Sequence, residues 1–305
     1  MSNIFEALQR AELERNATTA SMGDRGAEPF AVQVDEAPRE PKAPDEVTLE
    51  NIQQNSWRPK YSGFPTLDDR GPELEQFRGL RTQILQARAE SPVKSILVSS
   101  GSPSEGKSFI VSNLAVALTR GSANHILLID GDLRRPTQHT LFGAPNEIGL
   151  SEYFAGTANA KDVLQRAITA GPGQTRRKFD LPNLTLITAG KCGSSSSELV
   201  NSPRMEQLIA EVSPLFDWIL IDSPPVLAVT DAVDLATCAD AVLLVARGEK
   251  TTYAVAQRAQ AAFASSRILG FVLNDLKDAP DPDSYNYYYG SEAVGEHGKK
   301  RKDRA

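Results

Sequence analysis

The sequence has 305 residues, of which 40% are hydrophobic and 24% charged, enough apolar material for a sizeable core and too much for a wholly disordered chain. Its formal net charge of -6 argues against a protein whose main partner is nucleic acid, because phosphate contacts need a basic surface. The two cysteines, Cys192 and Cys238, lie far apart, which signals neither a disulfide framework nor a zinc site and fits a reducing cytoplasm.

The first residues, Met1 to Leu8, lack the basic and apolar regions of a secretory signal. Residues 3–15 can form a short helix, with Asn3 and Glu6 spaced as a capping box and Ile4, Leu8 and Ala11 on one face. Such a helix would either dock on a partner or fray, since isolated helices this short are marginal. Pro29, Pro38, Pro41, Pro44, Pro59 and Pro65 then punctuate polar and acidic sequence, a linker composition. Residues 1–72 are therefore expected to be a flexible N-terminal segment.

From Leu74 the spacing of Leu74, Phe77, Leu80, Ile84 and Leu85 predicts a helix. Short apolar runs follow at Lys94 to Ser99, His125 to Ile129, Leu184 to Thr188, Trp218 to Ile221, Ala241 to Ala246 and Ile268 to Leu273. Helical stretches lie between them, including Ser108 to Thr119, Pro203 to Val212 and Tyr253 to Ala264. Near-continuous apolar strands separated by helices imply a mostly parallel, doubly wound α/β sheet. The domain is expected over residues 73–278, with basic loop sequence at 169–183, a serine-rich stretch at Gly193 to Ser197 and a flexible tail at 279–305. The longest apolar run, Ala241 to Ala246, falls well short of a bilayer span, so a membrane role would have to come through a partner.

Gly101-Ser-Pro-Ser-Glu-Gly106-Lys107-Ser108 matches the phosphate-binding loop pattern between a predicted strand and a predicted helix. The glycines let backbone N–H groups turn around phosphate oxygens, the lysine reaches the β and γ phosphates, and the serine hydroxyl ligates Mg²⁺. Two strands end in aspartates, in Ile129-Asp130-Gly-Asp132-Leu-Arg134 and in Ile221-Asp222-Ser-Pro. A lone aspartate there is usually a turn or cap residue; beside a phosphate-binding loop, at the strand ends where α/β sheets bind ligands, Asp222 suits a Walker-B carboxylate.

With Glu75-x-x-Arg78-x-x-Arg81 and a C-terminal tyrosine cluster, these motifs resemble the bacterial tyrosine kinases of capsule and exopolysaccharide synthesis over roughly residues 73–290. The resemblance implies a P-loop NTPase of the partition-ATPase-like lineage, acting as an ATP-dependent tyrosine autokinase. Nucleotide would be held by Gly101, Ser102, Pro103, Ser104, Glu105, Gly106, Lys107, Ser108 and Phe109, and Mg²⁺ by Ser108 and Asp222. Asp130 would accept the tyrosine proton, since a phenol with pKa near 10 is a poor nucleophile at pH 7, and Asp132 would orient Lys107 or the metal's waters. Asn274 resembles an adenine-contacting asparagine and can equally cap its strand. The phosphoacceptors would be Tyr285, Tyr287, Tyr288 and Tyr289, four of the seven tyrosines in the chain; flanking Pro, Asp and Gly without apolar alternation argue against a buried strand there. Tyr153 and Tyr253 are expected to pack. On a helical wheel Arg81 falls about 340° from Leu74, inside the apolar stripe, so it serves either a subunit interface with Glu75 and Arg78 or an intrachain contact along its stem.

The resemblance further implies a homo-oligomeric ring, a separate transmembrane activator acting as polysaccharide co-polymerase, an opposing tyrosine phosphatase, and a cytoplasmic protein peripheral to the inner membrane. The competing reading is a partition- or division-site-type ATPase working as a localisation switch. Such proteins carry an extra lysine where this chain has Ser102, which favours the kinase.

Overall fold

The computed structural model describes residues 47–67, 70–120, 124–168, 181–192 and 203–276. Within them lie strands β1 (Gln53–Asn55), β2 (Ser95–Ser100), β3 (Ile126–Asp130), β4 (Gln165–Ala167), β5 (Leu184–Ile187), β6 (Trp218–Asp222), β7 (Ala241–Arg247) and β8 (Ile268–Asn274). The helices are α1 (Pro72–Glu90), α2 (Lys107–Thr119), α3 (Gln138–Phe142), α4 (Leu150–Ala155), α5 (Ala160–Val163), α6 (Arg204–Val212), α7 (Asp231–Ala236) and α8 (Tyr253–Ala262). The strands form one sheet in the order β1-β4-β5-β3-β6-β2-β7-β8. Every adjacent pair is parallel except β4 with β5. Each strand read from an apolar run forms, its ends displaced by no more than one residue.

The strands are apolar on both faces because both faces are covered. In β3, Leu127 and Ile129 enter one core with α4, α6, α7 and α8, whereas Ile126 and Leu128 enter a second core with α1 and α2. The period-2 alternation of side chains makes this division, and each buried Leu or Ile contributes about 1.5–3 kcal/mol. The central strands β2, β3 and β6 are thereby held rigid, and their C-terminal ends carry the chemistry. No helix among the described residues is long and apolar enough to cross a membrane.

The linker expected to run to residue 72 ends sooner. Val47, Ile52, Trp57, Phe64 and Leu67 are all buried. β1 joins the sheet edge beside β4. Trp57 donates its indole N–H to Gln165 at 3.2 Å, and the rings of Trp57 and Phe64 stand 5.6 and 4.9 Å from Phe142. The apolar residues responsible are too sparse to show a period, and Pro59 and Pro65 sit outside the strands, Pro65 opening a 3₁₀ turn. Of the two tyrosines expected to pack, Tyr153 is buried, but Tyr253 is 82% exposed at the first position of α8. The N-terminal residues 3–15, the tail, most of the basic loop and the serine-rich stretch lie outside the described residues.

Candidate active site

The phosphate-binding loop leaves β2 and enters α2 at Gly106, whose φ of 98° lies in the left-handed region. A Cβ there would meet the Asn274 amide nitrogen at 2.0 Å, so the position admits only glycine. The loop is tied from below by Glu105. That side chain is 4% exposed; one carboxylate oxygen accepts from the Ser102 N–H at 2.7 Å and the other from the Thr251 hydroxyl. Asn274 donates to the Glu105 carbonyl at 3.0 Å, and Arg247, paired with Asp275, donates to the Ser104 carbonyl at 3.3 Å. Asn274 thus fastens the end of β8 to the loop. It also lines, with Phe109 and Phe77, a groove of about 930 Å³ between α1 and β8.

β3 and β6 are neighbours, with Asp130 opposite Asp222 in register. Both carboxylates are fully buried. Asp130 accepts the backbone N–H groups of Thr137 and Gln138 at 3.0 and 2.9 Å through Oδ2. Asp222 accepts from the Gln138 side chain at 2.8 Å, and Gln138 in turn accepts from the Ser112 hydroxyl at 2.6 Å. The Oδ1 atoms of Asp130 and Asp222 are buried without a partner. Asp132 pairs with the Lys107 ammonium at 3.0 Å and accepts from the Arg135 backbone N–H at 3.0 Å.

Burial, followed by the charge of Asp222, raises the Asp130 carboxyl well above its ordinary range. Burial likewise raises Asp222, although Lys107 and hydrogen bonds from Ser108 and Gln138 pull the other way. Burial works against the Lys107 ammonium, but Asp222, Asp132 and Asp130 outweigh it and its pKa is raised. Three carboxylates face one ammonium, and two of their oxygens have no donor. A divalent cation answers both deficits. The residues present therefore fit Mg²⁺, with Ser108 and Asp222 as the groups that would hold it.

A cavity of about 370 Å³ opens over this centre, its charged and polar lining including Lys107, Ser108, Asp132, Arg134 and Arg135. Asp130 and Asp222 lie fully buried and do not line it. Arg134 is oriented by a two-pronged contact with Asp231, at 2.9 and 3.1 Å.

The structure separates the three residues expected at an interface. Arg81 donates to the Ala117 carbonyl at 3.2 Å and to the Arg120 carbonyl, satisfying the last carbonyls of α2. Of the two roles open to it, the intrachain one is occupied. Glu75 and Arg78 pair with each other on the exposed face of α1, and Leu85, expected in the apolar stripe, is 42% exposed beyond them. Tyr285, Tyr287, Tyr288 and Tyr289 lie outside the described residues.

Sequence reading missed Gln138, which links both buried aspartates to α2, because no spacing ties it to either motif. It also missed Thr251 and Asp231, polar residues of a turn and a helix start that become informative only when the end of β7 meets the phosphate-binding loop and α7 meets Arg134 after β3.

No protein-family model matches the chain. It is similar to CapB of Staphylococcus aureus, 34% identical over 220 residues that cover 72% of this chain and 90% of that protein. It is also 34% identical to the tyrosine-protein kinase YwqD of Bacillus subtilis over 216 residues, 70% of this chain and 85% of that protein. The tyrosine-protein kinase Etk of Escherichia coli matches at 35% over 200 residues, but there the chain covers only 26% of the relative. Among solved structures, the chimerical protein CapA2B2 superposes with a TM-score of 0.62 at 29% identity, covering 74% of this chain and 92% of that one. The kinase domain of Escherichia coli ETK superposes with a TM-score of 0.58 at 34% identity, covering 67% and 76%.

Proposed function

Because the chain belongs to the bacterial tyrosine kinases and is thus a protein-tyrosine kinase, we propose that it is an autokinase whose acceptors are its own Tyr285, Tyr287, Tyr288 and Tyr289. ATP is the phosphoryl donor and Mg²⁺ the metal. The observation that carries this is the single centre in which Lys107 and Ser108 meet Asp132 above two buried aspartates with unpartnered oxygens.

In this mechanism the loop N–H groups and the start of α2 hold the phosphates, and Lys107 leaves Asp132 to neutralise the γ phosphate. Ser108 and Asp222 would hold Mg²⁺, which would offset the charge that builds up on the phosphate oxygens. Asp132 orients Lys107, and Gln138 joins Asp130 to Asp222. Asp130 is the carboxylate assigned the phenol proton; buried behind the cavity in the ligand-free chain, it acts once substrate and metal open the centre and hold it ionised. Positioning and charge supply most of the rate, because phosphoryl transfer passes through a loose transition state.

The acceptor tail belongs to a neighbouring subunit of a homo-oligomeric ring assembled through the Glu75 and Arg78 face of α1. Each phosphate adds about -1.5 to -2 charge, so a modified tail is repelled by the aspartate centre and the ring opens. A separate transmembrane activator, acting as polysaccharide co-polymerase, holds the protein at the inner membrane, and a tyrosine phosphatase reverses the modification. The cycle regulates polymerisation and export of a capsule or exopolysaccharide. A mixture of a Lys107→Ala chain with an intact tail and an active chain whose four tail tyrosines are phenylalanine tests the transfer. Antiphosphotyrosine signal on the inactive chain supports it; absence of signal in an assembled mixture refutes it.

A further inference from the structure

The 370 Å³ cavity is lined by both apolar and polar groups. Phe109, Pro224, Pro225, Ala228 and Val229 supply apolar surface, of the kind that accepts an aromatic ring edge-on or flat. Of the charged groups, Lys107 and Asp132 pair with each other, and Arg134 is held by Asp231. Arg135 is exposed, and its guanidinium makes no ion pair or hydrogen bond with any described residue. Its backbone N–H is anchored on Asp132 at 3.0 Å, so its side chain springs from the rim of the cavity that it lines.

The segment before the first clustered tyrosine reads Asp281-Pro-Asp283-Ser-Tyr285 and lies outside the described residues. In an extended strand, residues two apart point to the same side about 6.6 Å apart. A tyrosine ring laid against the Pro224 and Pro225 surface therefore has the side chains two residues before and after it on the same face of the strand, and for Tyr285 only the preceding one, Asp283, is acidic. We propose that Arg135 is a specificity-determining residue that binds an acidic side chain two residues before the acceptor tyrosine, so that the kinase selects acidic tyrosine segments such as Asp283-Ser-Tyr285 of a second copy of this chain. Selection deepens the autokinase reading above and rests on it. A planar guanidinium forks onto a carboxylate in a geometry that lysine does not reproduce. The remaining tail tyrosines, Tyr287, Tyr288 and Tyr289, have Tyr285, Asn286 and Tyr287 two residues before them. Tyr285 is then the preferred first acceptor, and once phosphorylated it presents an anion two residues before Tyr287, which makes that tyrosine the next.

The test is a charge exchange on full-length chains. Acceptors carry Lys107→Ala with either the native tail or Asp281→Lys plus Asp283→Lys; donors carry phenylalanine at the four tail tyrosines, with Arg135 either native or Arg135→Glu. Initial rates of label transfer are read against acceptor concentration. One exposed charge pair is worth up to about a fivefold change in KM. The native donor should thus show that rise in KM when the acceptor tail is made basic. The Arg135→Glu donor should show the reverse preference, a result a misfolded variant does not give. A native donor with one KM for both acceptors overturns the subsite, as does an Arg135→Glu donor that loses kcat equally on both, which would place Arg135 on the transferring phosphate. No label on any acceptor overturns the autokinase reading and the subsite with it.

Discussion

Replacing Asp130 by asparagine is expected to stabilise the ligand-free protein while slowing phosphoryl transfer to tyrosine. Asp130 and Asp222 sit opposite each other on adjacent strands, fully buried, each with an oxygen lacking a donor. Strands are about 4.8 Å apart, and two carboxylates about 5 Å apart repel by about 3 kcal/mol at an effective dielectric of 20. Asparagine keeps an oxygen for the Thr137 and Gln138 N–H groups and offers its own N–H₂ toward Asp222. Proton uptake already relieves part of the repulsion in the native protein, so the gain should be about 2 kcal/mol, or a Tm rise of about 4–8 °C for a domain of this size. The pH dependence has a definite sign. The folded state raises the Asp130 pKa above the unfolded value of about 3.9, so the folded state binds the extra proton. Stability from that proton is present on the acid side and is lost as pH rises through the folded pKa. The advantage of Asp130→Asn should therefore grow from pH 4 toward pH 8. Thermal unfolding in chelator across that range measures it. A variant less stable than the native chain at pH 8, or an advantage that does not grow with pH, refutes the reasoning.

Lys107→Ala should abolish both ATP hydrolysis and tyrosine labelling, since among the described residues Lys107 is the ammonium that faces the three aspartates; undiminished labelling would remove the residue from the site. Arg78→Ala should leave Tm nearly unchanged, because its pair with Glu75 is exposed, and should lower the oligomer mass seen by light scattering. Arg81→Ala, by contrast, strips the Ala117 and Arg120 carbonyls of their donor and should cost about 1–2 kcal/mol in denaturant unfolding; equal stability effects for the two arginines would contradict the division of roles. Glu105→Ala should weaken nucleotide binding at least tenfold in calorimetric titration by freeing the Ser102 N–H and the Thr251 hydroxyl, and Thr251→Val should have a smaller effect in the same direction.

What the sequence determined by itself was whatever is local or periodic. The strands are unbroken apolar runs, and a strand covered on both faces leaves that signature in the chain without reference to its neighbours. The phosphate-binding loop is similarly self-announcing, because its backbone demands, such as the left-handed φ at Gly106, fall within a few consecutive residues. Membership of the tyrosine kinases was legible for the same reason. The tertiary structure alone decided how the non-local partners are joined. Residues 47–67 read as linker, yet five widely spaced apolar side chains find pockets along the sheet edge and α2. Arg81 sits in a stripe that suits either a partner or its own domain, and only the arrival of the α2 C-terminus, with carbonyls needing a donor, assigns it within the chain. Gln138 joins Asp130 to Asp222 from a separate helix, and Thr251 reaches Glu105 from beyond β7. Such contacts leave no spacing in the chain, because the distance that matters is set by the order in which the strands lie side by side.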